Sequence, residues 1–478
     1  MTRKLLILLS LLPGCIAILV AASLHREQPD DSPRCMYVAP DGDDSAAGTA
    51  DAPWRSIQKA FDAAGPGSTI ILRGGVYAVD YTLTLSRSGE RGNPITVKAE
   101  TPDNPPVLDG GNGLGVLENE NAIGDLRIMK NFLANYQKFP PFNPDEGIIR
   151  VSGSHVVVDG LKLTGSRSCG LYFMSGASHL VVQNCHVEHC QGPGICFGAE
   201  NSASRDVKVL RNYVLDCSQR AREAISLRTV DSFEVAYNKV ERVIKESIDA
   251  KGGCSNGTIH HNYVLDGGHC SIYMDGGYPD RPLERNIEVY CNVIENPYGT
   301  GICVAAEAGN NVEDIRIYNN VIWTYRAENL GSGIKVAKNS MNIDGYIKDV
   351  LIFNNTVYGF RQQGIYVNYP NIENIRICNN ISAKTLDQLA VHKNTDPKHV
   401  ITDRNLLWGP TSFQGRGAIL ADPLFTDAEH AGFTLQEASP AVNSAYKKFS
   451  PAEDINGVLR PQGRAADLGA YEFKRGSK

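Results

Sequence analysis

A short pattern that repeats between residues 272 and 320 decides how this chain folds. It reads I-Y-M-D at 272–275 and I-E-V-Y at 287–290, then I-C-V-A at 302–305 and I-R-I-Y at 315–318. Polar or small residues alternate with apolar ones in each segment, and a period of two is typical of a β-strand. Helical repeats need longer segments with a period near 3.6, and none is visible here. The stretch therefore predicts short strands in every repeat.

The pattern extends along the middle of the chain in two columns. The first apolar position recurs every 23 to 32 residues, at Ile148, Leu171, Ile195, Ile225, Ile248, Ile272, Ile302, Ile334 and Ile365. An asparagine recurs every 24 to 35 residues, at Asn212, Asn238, Asn262, Asn292, Asn320, Asn355 and Asn380. Short strands at this period predict an all-β parallel β-helix, a solenoid whose coils stack about 4.8 Å apart. The asparagines predict a ladder of stacked side-chain amides at one turn.

The ends of the chain carry different signals. Arg3 and Lys4 precede an apolar run from Leu5 to Ala22, which predicts an export signal or an N-terminal anchor over 1–22 and hence an exported bacterial protein. A polar tether follows at 23–36. We then expect an N-terminal cap with the first coils at 37–112, an inserted loop or helix at 113–146, the β-helix at 147–410 and a closing region at 411–478.

A cap is expected because the end of a solenoid is an unpaired strand edge. Apolar residues three or four apart predict an amphipathic capping helix from Pro53 to Ala64, with Pro53 in its first turn.

Composition limits the partners of the protein. The net charge is −6 and charged residues make up 21% of the chain, which argues against nucleic acid as a partner. A membrane contact is expected only through the N-terminal segment, if that segment is retained. The twelve cysteines show no paired C-x-x-C zinc pattern, and we expect most of them to be buried and unpaired.

Motifs at both ends resemble one family. Y-V-A-P-D-G at 37–42, P-W at 53–54, I-Q-K-A at 57–60 and G-G-V-Y at 74–77 are similar to the N-terminal module of exported bacterial right-handed β-helix proteins of the pectate-lyase-like superfamily. D-P-L-F at 422–425, S-P-A at 439–441 and D-L-G-A-Y-E at 467–472 resemble the C-terminal end of the same class. The resemblance implies a right-handed parallel β-helix and a polysaccharide or oligosaccharide ligand, because the superfamily includes polysaccharide lyases, glycoside hydrolases and non-catalytic surface proteins.

Candidate site residues follow from the phase of the strands. If the Ile/Leu column points inward, the residues one and three positions later point to solvent. In the middle coils this places Arg228, Lys251 and Asp275 in one column, with Asp249 beside them. Further candidates for substrate binding lie at strand entrances and on neighbouring coils: Glu223, Glu246, Tyr273, Lys335, Lys338, Tyr366 and Asn368.

Two mechanisms fit these residues. In a β-eliminating lyase acting on a uronate-containing glycan, Lys251 would be the base, Arg228 would stabilise the developing negative charge, and Asp249 would orient Lys251. In a retaining glycoside hydrolase, Asp275 and Glu307 would be nucleophile and general acid, in either order. The Arg/Lys pair favours the lyase slightly.

A non-catalytic glycan-binding or surface structural protein is the third alternative. The chemistry requires no cofactor and no metal site is predicted, although the carboxylates of Asp249, Asp275 and Glu307 could hold Ca²⁺.

Overall fold

The structure is a computed structural model that describes residues 35–111, 143, 147–198, 202–218, 223–277, 280–337 and 345–474. The predicted signal or anchor at 1–22, almost all of the tether and insert, and Lys338 therefore lie outside the described residues. Three long parallel sheets, which we call A, B and C, form the faces of a parallel β-helix. The predicted fold class is confirmed.

β1 and β2 both lie in sheet A, and from β2 onward the chain visits the three sheets in turn. Sheet A has thirteen strands: β1 (Cys35–Val38), β2 (Thr69–Leu72), β5 (Ile95–Ala99), β8 (Val156–Asp159), β11 (Leu180–Gln183), β14 (Ser204–Leu210), β17 (Val230–Ala236), β20 (Ser255–His260), β23 (Glu284–Tyr290), β26 (Val312–Tyr318), β29 (Ile347–Phe353), β32 (Ile372–Cys378) and β35 (Val400–Asp403). Sheet B has twelve: β3 (Gly75–Ala78), β6 (Pro106–Asp109), β9 (Lys162–Thr164), β12 (His186–Glu188), β15 (Tyr213–Leu215), β18 (Lys239–Val243), β21 (Tyr263–Gly267), β24 (Val293–Glu295), β27 (Val321–Trp323), β30 (Thr356–Tyr358), β33 (Ile381–Ala383) and β36 (Leu406–Trp408). Sheet C has eleven: β4 (Leu83–Leu85), β7 (Ile149–Val151), β10 (Leu171–Phe173), β13 (Ile195–Phe197), β16 (Ile225–Arg228), β19 (Ile248–Lys251), β22 (Cys270–Asp275), β25 (Thr300–Ala305), β28 (Ile334–Ala337), β31 (Gln363–Asn368) and β34 (Asp387–Val391).

The apolar column is the register of sheet C. Leu171 pairs with Ile195, and the pairing continues coil by coil to Ile365. One assignment was wrong: the partner of Leu171 in the preceding coil is Ile149, not Ile148. Both isoleucines are buried, so only the strand pairing distinguishes them. The inward residues of this column fill one continuous core.

The asparagine ladder is also present. From Asn238 onward, each side-chain Oδ1 accepts hydrogen bonds from the backbone N–H and the Nδ2 of the asparagine one coil earlier, as Asn320 does from Asn292 at 3.0 and 2.9 Å. The rungs are buried, so the ladder replaces water at a turn that would otherwise hold unpaired amides. The ladder has one rung more than predicted, because Asn405 accepts from Asn380 in the same way.

One α-helix, α1 (Ile57–Ala63), occurs among the described residues. Its N-cap is Ser56, whose side chain accepts from Lys59 N–H, so the helix begins four residues later than predicted and Pro53 lies outside it. Trp54 instead pairs with Val38 beside β1. The Gln58 amide donates to Thr84 C=O at 2.9 Å and accepts from Thr84 N–H at 2.8 Å. Helix α1 thus satisfies backbone groups of β4, the edge strand of sheet C.

The C-terminal region covers part of the end of the solenoid and packs against the outer side of sheet B. Arg416 and Ile419 pair with Asp403 and Leu406 in the last coil, which covers part of that edge. The antiparallel hairpin β37 (Phe425–Asp427) and β38 (Gly432–Leu435) then packs in a second apolar cluster on the outer side of sheet B, with the side chains Val321, Trp323, Ile381, Phe425, Phe433, Leu435 and Leu468. Three short 3₁₀ helices complete this half: Pro397–His399, Ala428–His430 and Lys447–Phe449.

The cysteines largely follow the prediction. Eleven are described; ten of them are buried and Cys35 is exposed. Across the described ranges, no helix has the length and apolar character needed to span a membrane.

Candidate active site

The candidate active site lies on the outer side of sheet C, over strands β16, β19 and β22. The register pairs Arg228 with Lys251 and Lys251 with Asp275, so these three residues stand in the predicted column on consecutive coils. Ala305, Ala337 and Asn368 continue the column on later coils. The neighbouring column contains Asp249, Tyr273, Cys303, Lys335 and Tyr366 in the same order.

The expectation that all outward positions face solvent is wrong. Ser226 and Asp249 have no exposed surface and Tyr273 is 1% exposed. Long side chains on the same side cover the short ones: Glu223 bends back to accept a hydrogen bond from Ser226 Oγ at 3.1 Å. Lys251 reaches over Asp249, with 3.6 Å between Nζ and Oδ2. The site is therefore layered, with short polar groups beneath longer ones.

Glu223 is the centre of the lower layer. Its Oε1 accepts from Lys245 Nζ at 3.0 Å and from Lys251 Nζ at 3.1 Å, and its Oε2 lies 3.3 Å from Arg228 Nη2. Burial alone would raise the pKa of Glu223, but the charges of Lys245, Lys251 and Arg228 hold it well below its usual value. The Glu223 side chain is fully buried beneath these cations, and its role in substrate binding stays a prediction.

Lys251 lies among three carboxyl groups. Besides Glu223 it approaches Asp249 at 3.6 Å and Asp275 Oδ2 at 3.8 Å. Burial alone would lower the pKa of Lys251, and Arg228 acts in the same direction, but the carboxyls of Asp249 and Glu223 hold this pKa well above its usual value. Lys251 is therefore an ammonium in the free protein, whereas a general base needs the neutral amine.

The environment of the site raises the pKa of two neighbouring carboxyls, Asp249 and Glu307. Burial raises the pKa of Asp249 well above its usual value. Burial and a hydrogen bond with Asp275 raise the pKa of Glu307 to about 8. Asp275 Oδ1 also accepts from Gly277 N–H at 3.0 Å and Glu307 N–H at 3.3 Å, which fixes Asp275 beside Glu307. Asp275 and Glu307 are therefore held as hydrogen-bonded neighbours.

Sequence reasoning missed two members of the site, Lys245 and His269. Both lie in the turns that enter sheet C, where the alternation of strands gives no information about direction. Lys245 Nζ contacts Glu246 Oε2 at 3.5 Å, and His269 Nδ1 contacts Glu246 Oε1 at 2.7 Å. Burial raises the pKa of Glu246, but Lys245 and His269 outweigh burial and keep it below its usual value. The sequence did hold one signal for Lys245: it directly precedes Glu246, so a positive and a negative side chain are adjacent at the strand entrance.

The remaining predicted ligand-binding residues differ in access. Glu246 and Tyr273 are buried, and their contact with a substrate stays a prediction. Tyr273 packs against Cys270, Cys303 and Ala305, and burial raises the pKa of its phenol well above the usual value. Lys335, Tyr366 and Asn368 are half-buried on later coils of the same side and stay predictions.

The carboxyls do not form a metal site with the groups that surround them. Asp249 and Asp275 both contact Lys251, whose ammonium occupies the space between them. Within the described ranges, no group of three or more His, Cys, Asp or Glu side chains is placed to hold a metal ion. The suggestion that these residues could hold Ca²⁺ finds no geometric support.

Comparison with known proteins agrees with this architecture. A family model described as "Pel9A-like, right handed beta helix region" matches residues 36–219, and one described as "Right handed beta helix region" matches residues 146–322. The uncharacterized protein YwoF of Bacillus subtilis (strain 168) is 23% identical over 500 residues, which cover 90% of this chain and 97% of that protein.

Two solved structures share the fold. Pectate lyase Pel9A superposes with a TM-score of 0.50 at 17% identity, covering 92% of this chain and 96% of that one. XylC, in its complex with xylose, superposes with a TM-score of 0.53 at 10% identity, covering 92% and 98%. The two family models together span residues 36–322, and the three parallel sheets continue beyond them, so the chain has the right-handed β-helix fold that these models describe, which supports a pectate-lyase-like β-helix protein.

Proposed function

We propose that this protein is a polysaccharide-cleaving enzyme that acts by β-elimination on a uronate-containing glycan. One observation carries the proposal: the cations of the site lie above its carboxylates. The side chains of Lys245, Arg228 and Lys251 are 30%, 22% and 17% exposed, whereas that of Glu223 is completely buried. A ligand that approaches sheet C therefore meets positive charge first, and an anionic sugar fits that surface. The matching family model is described as Pel9A-like, which supports a polysaccharide-active enzyme.

The residues divide the reaction between them. Arg228, fixed by Glu223, binds the uronate carboxylate and stabilises the charge that develops on it when the neighbouring proton leaves. Lys251 takes that proton. Asp249 and Glu223 hold Lys251 in place, but they also keep it protonated in the free protein, so Lys251 must first lose a proton to act. We expect export of the protein, as the segment 1–22 predicts.

A second candidate function rests on the Asp275–Glu307 pair. Glu307, with a pKa of about 8, is protonated at neutral pH and would be the general acid of a glycoside hydrolase, with Asp275 as nucleophile. Retaining hydrolases place the two carboxyls about 5–5.5 Å apart, and here they are close enough to share a hydrogen bond. A sugar would have to separate the two carboxyls, which makes this the weaker candidate.

Product analysis tests the two candidates. The protein is incubated with polyuronates and with neutral glycans, and both new reducing ends and the ultraviolet absorbance of unsaturated uronates are followed. We expect unsaturated product from a polyuronate, lost in Lys251→Met and retained in Lys208→Met. Lys208 is the matched control, a lysine of sheet A paired with Glu234 at 2.9 Å. Saturated reducing ends alone would favour the hydrolase, and no product from any glycan would favour a binding protein.

A further inference from the structure

A histidine at the entrance of sheet C has a fixed position that the proposed roles do not use. His269 immediately precedes β22, and its backbone is held by both neighbouring coils: its N–H donates to Lys245 C=O at 3.0 Å, and its C=O accepts from Thr300 N–H at 2.9 Å. Its side chain is 33% exposed, so the ring is anchored and still open to solvent. A rigid backbone with an accessible ring is what a reacting group requires.

The ring is oriented by a buried carboxylate. Nδ1 lies 2.7 Å from Glu246 Oε1, and the Glu246 side chain is only 4% exposed. A charged carboxylate at this distance accepts the N–H of Nδ1. The second ring nitrogen, Nε2, has no hydrogen-bond partner among the described residues, so the protonated ring has one N–H held by Glu246 and one available to a ligand.

His269 and Lys251 terminate the same ionic network. Glu246 contacts Lys245 at 3.5 Å, Lys245 contacts Glu223 at 3.0 Å, and Glu223 contacts Lys251 at 3.1 Å. Both lysines reach the same oxygen of Glu223, so the ammonium groups are close neighbours. The network therefore brings a histidine at the strand entrance into the same site as the proposed base.

We infer that His269, positioned by Glu246, is the acid that protonates the leaving glycosidic oxygen. This inference rests on the proposed β-elimination. Lys251 removes the proton at C5 of the uronate, the C5–H electrons form the C4–C5 double bond, and the C4–O bond breaks. The departing oxygen keeps the electron pair of the broken C4–O bond and takes the proton from Nε2 of His269. Lys251 then releases its proton to water, and His269 regains one from water, so no other reactant is needed.

Chemistry selects His269 over its cationic neighbours. An imidazolium gives up its proton readily near neutral pH, whereas a guanidinium does not. The charge of Glu223 raises the pKa of Lys245 above its usual value, which makes Lys245 a poor donor. Lys245 and Arg228 therefore bind negative charge, and His269 is the member of this cluster suited to proton donation.

The experiment compares two leaving groups in otherwise identical uronides. One carries a sugar at C4, a poor leaving group that needs a proton, and the other carries an activated aryl ether, which needs none. His269→Gln should lower kcat/KM for the sugar substrate about 10²–10³-fold and that for the aryl ether less than tenfold. Glu246→Gln should give the same pattern with a smaller loss, because its amide oxygen can still accept from Nδ1.

The control is His186→Gln in sheet B. His186 contacts Glu188 at 2.9 Å and its side chain is 32% exposed, so it reproduces the His–Glu contact away from the site. We expect no change with either substrate. An equal loss of His269→Gln activity on both substrates, or no loss on either, would overturn the inference while elimination by the unaltered protein still stood. Absence of unsaturated product from the unaltered protein would overturn the proposed function itself. Thermal unfolding of each variant verifies that it is folded.

Discussion

Three cations of the candidate active site depend on one buried carboxylate. Glu223 binds Arg228, Lys245 and Lys251 together, so Glu223→Gln should leave three neighbouring positive charges without their shared partner. We expect a loss of up to about 3 kcal/mol in the free energy of unfolding at neutral pH, less than for a fully buried pair because the cations are partly exposed. Denaturant unfolding measures this loss, and Glu234→Gln on sheet A is the matched control.

The loss caused by Glu223→Gln should depend on pH. The pKa of Glu223 is lowered in the folded protein, so its carboxylate stabilises the fold above the unfolded pKa and ceases to do so as the pH falls through the lower, folded pKa. The unfolding free energies of the variant and the unaltered protein should therefore converge in strong acid. An equal difference at neutral and strongly acid pH would show that charge is not the cause.

The pH dependence of activity separates the two candidate mechanisms. Lys251 must lose a proton to act as base and its pKa is raised, so the rate of elimination from the activated aryl ether, which needs no acid, should climb with pH across the neutral and alkaline range. Glu307 must keep a proton to act as acid, so the rate of hydrolysis should fall as the pH rises through about 8. Initial rates at constant ionic strength decide between the two, and a fall above pH 8 in elimination from the aryl ether would contradict Lys251 as the base.

At the scale of residues, prediction from the sequence succeeded where strands fix direction. The alternation along β16, β19 and β22 and the repeat length together placed Arg228, Lys251 and Asp275 in one column. Lys245 and His269 lie in turns, which have no such periodicity. The alternation along the strands also could not predict that the short outward side chains are buried, because their burial depends on how longer neighbouring side chains fold over them.

Among the structural elements, the asparagine ladder depends most strongly on single side chains. Asn292 is fully buried; its Nδ2 donates to Ile259 C=O at 2.9 Å and its Oδ1 accepts from Asn262. Asn292→Ala leaves several buried backbone and side-chain groups unpaired and should cost roughly 3 kcal/mol of unfolding free energy. Asn394→Ala, in an exposed turn, should change it by no more than about 0.5 kcal/mol. Equal effects in denaturant unfolding would refute a stabilising role for the ladder.

The contact between helix α1 and strand β4 is the second prediction at this scale. Gln58→Ala removes both hydrogen bonds to Thr84 and exposes part of a strand edge. We expect a loss of about 1–2 kcal/mol and a greater tendency to associate as the protein concentration rises. Asp62→Ala is the control, since the exposed Asp62 contacts Gln58 without touching β4. Unfolding and light scattering measure the two effects, and identical behaviour of both variants would contradict the edge-covering role.

Element boundaries were less predictable than element types. Adjacent Ile148 and Ile149 suit the apolar column equally well, and only pairing with Leu171 selects Ile149. Helix α1 begins after Ser56 because that side chain caps it, although the apolar spacing extends back to Trp54. Asn405 was overlooked as a rung because the preceding coil is the last complete one, where the repeat is hardest to follow. A partner distant in sequence decides the assignment of Ile149 and of Asn405, whereas the start of helix α1 is decided by a local cap.

For the whole molecule, the local and overall charges have opposite signs. The net charge is −6, yet the exposed groups over the site are Arg228, Lys245 and Lys251. Overall repulsion of a polyanion acts over long distances and is weakened first by salt, because the Debye length is about 10 Å at 0.1 M. Contact with the cations acts at short range. The direction in which KM changes with salt concentration shows whether long-range repulsion or contact with the cations controls binding.

If contact with the cations dominates, KM for a polyuronate should rise several-fold as NaCl is increased from roughly 0.05 to 0.5 M. KM for the methyl-esterified glycan, which lacks the charge, should hardly change. Lys245→Met should raise KM at low salt and flatten the dependence, because one of the three cations is gone, whereas Lys208→Met on sheet A should leave it unchanged. A KM that falls with salt would mean that the overall negative charge controls the encounter, and the cation layer would then not be the recognition surface for uronates.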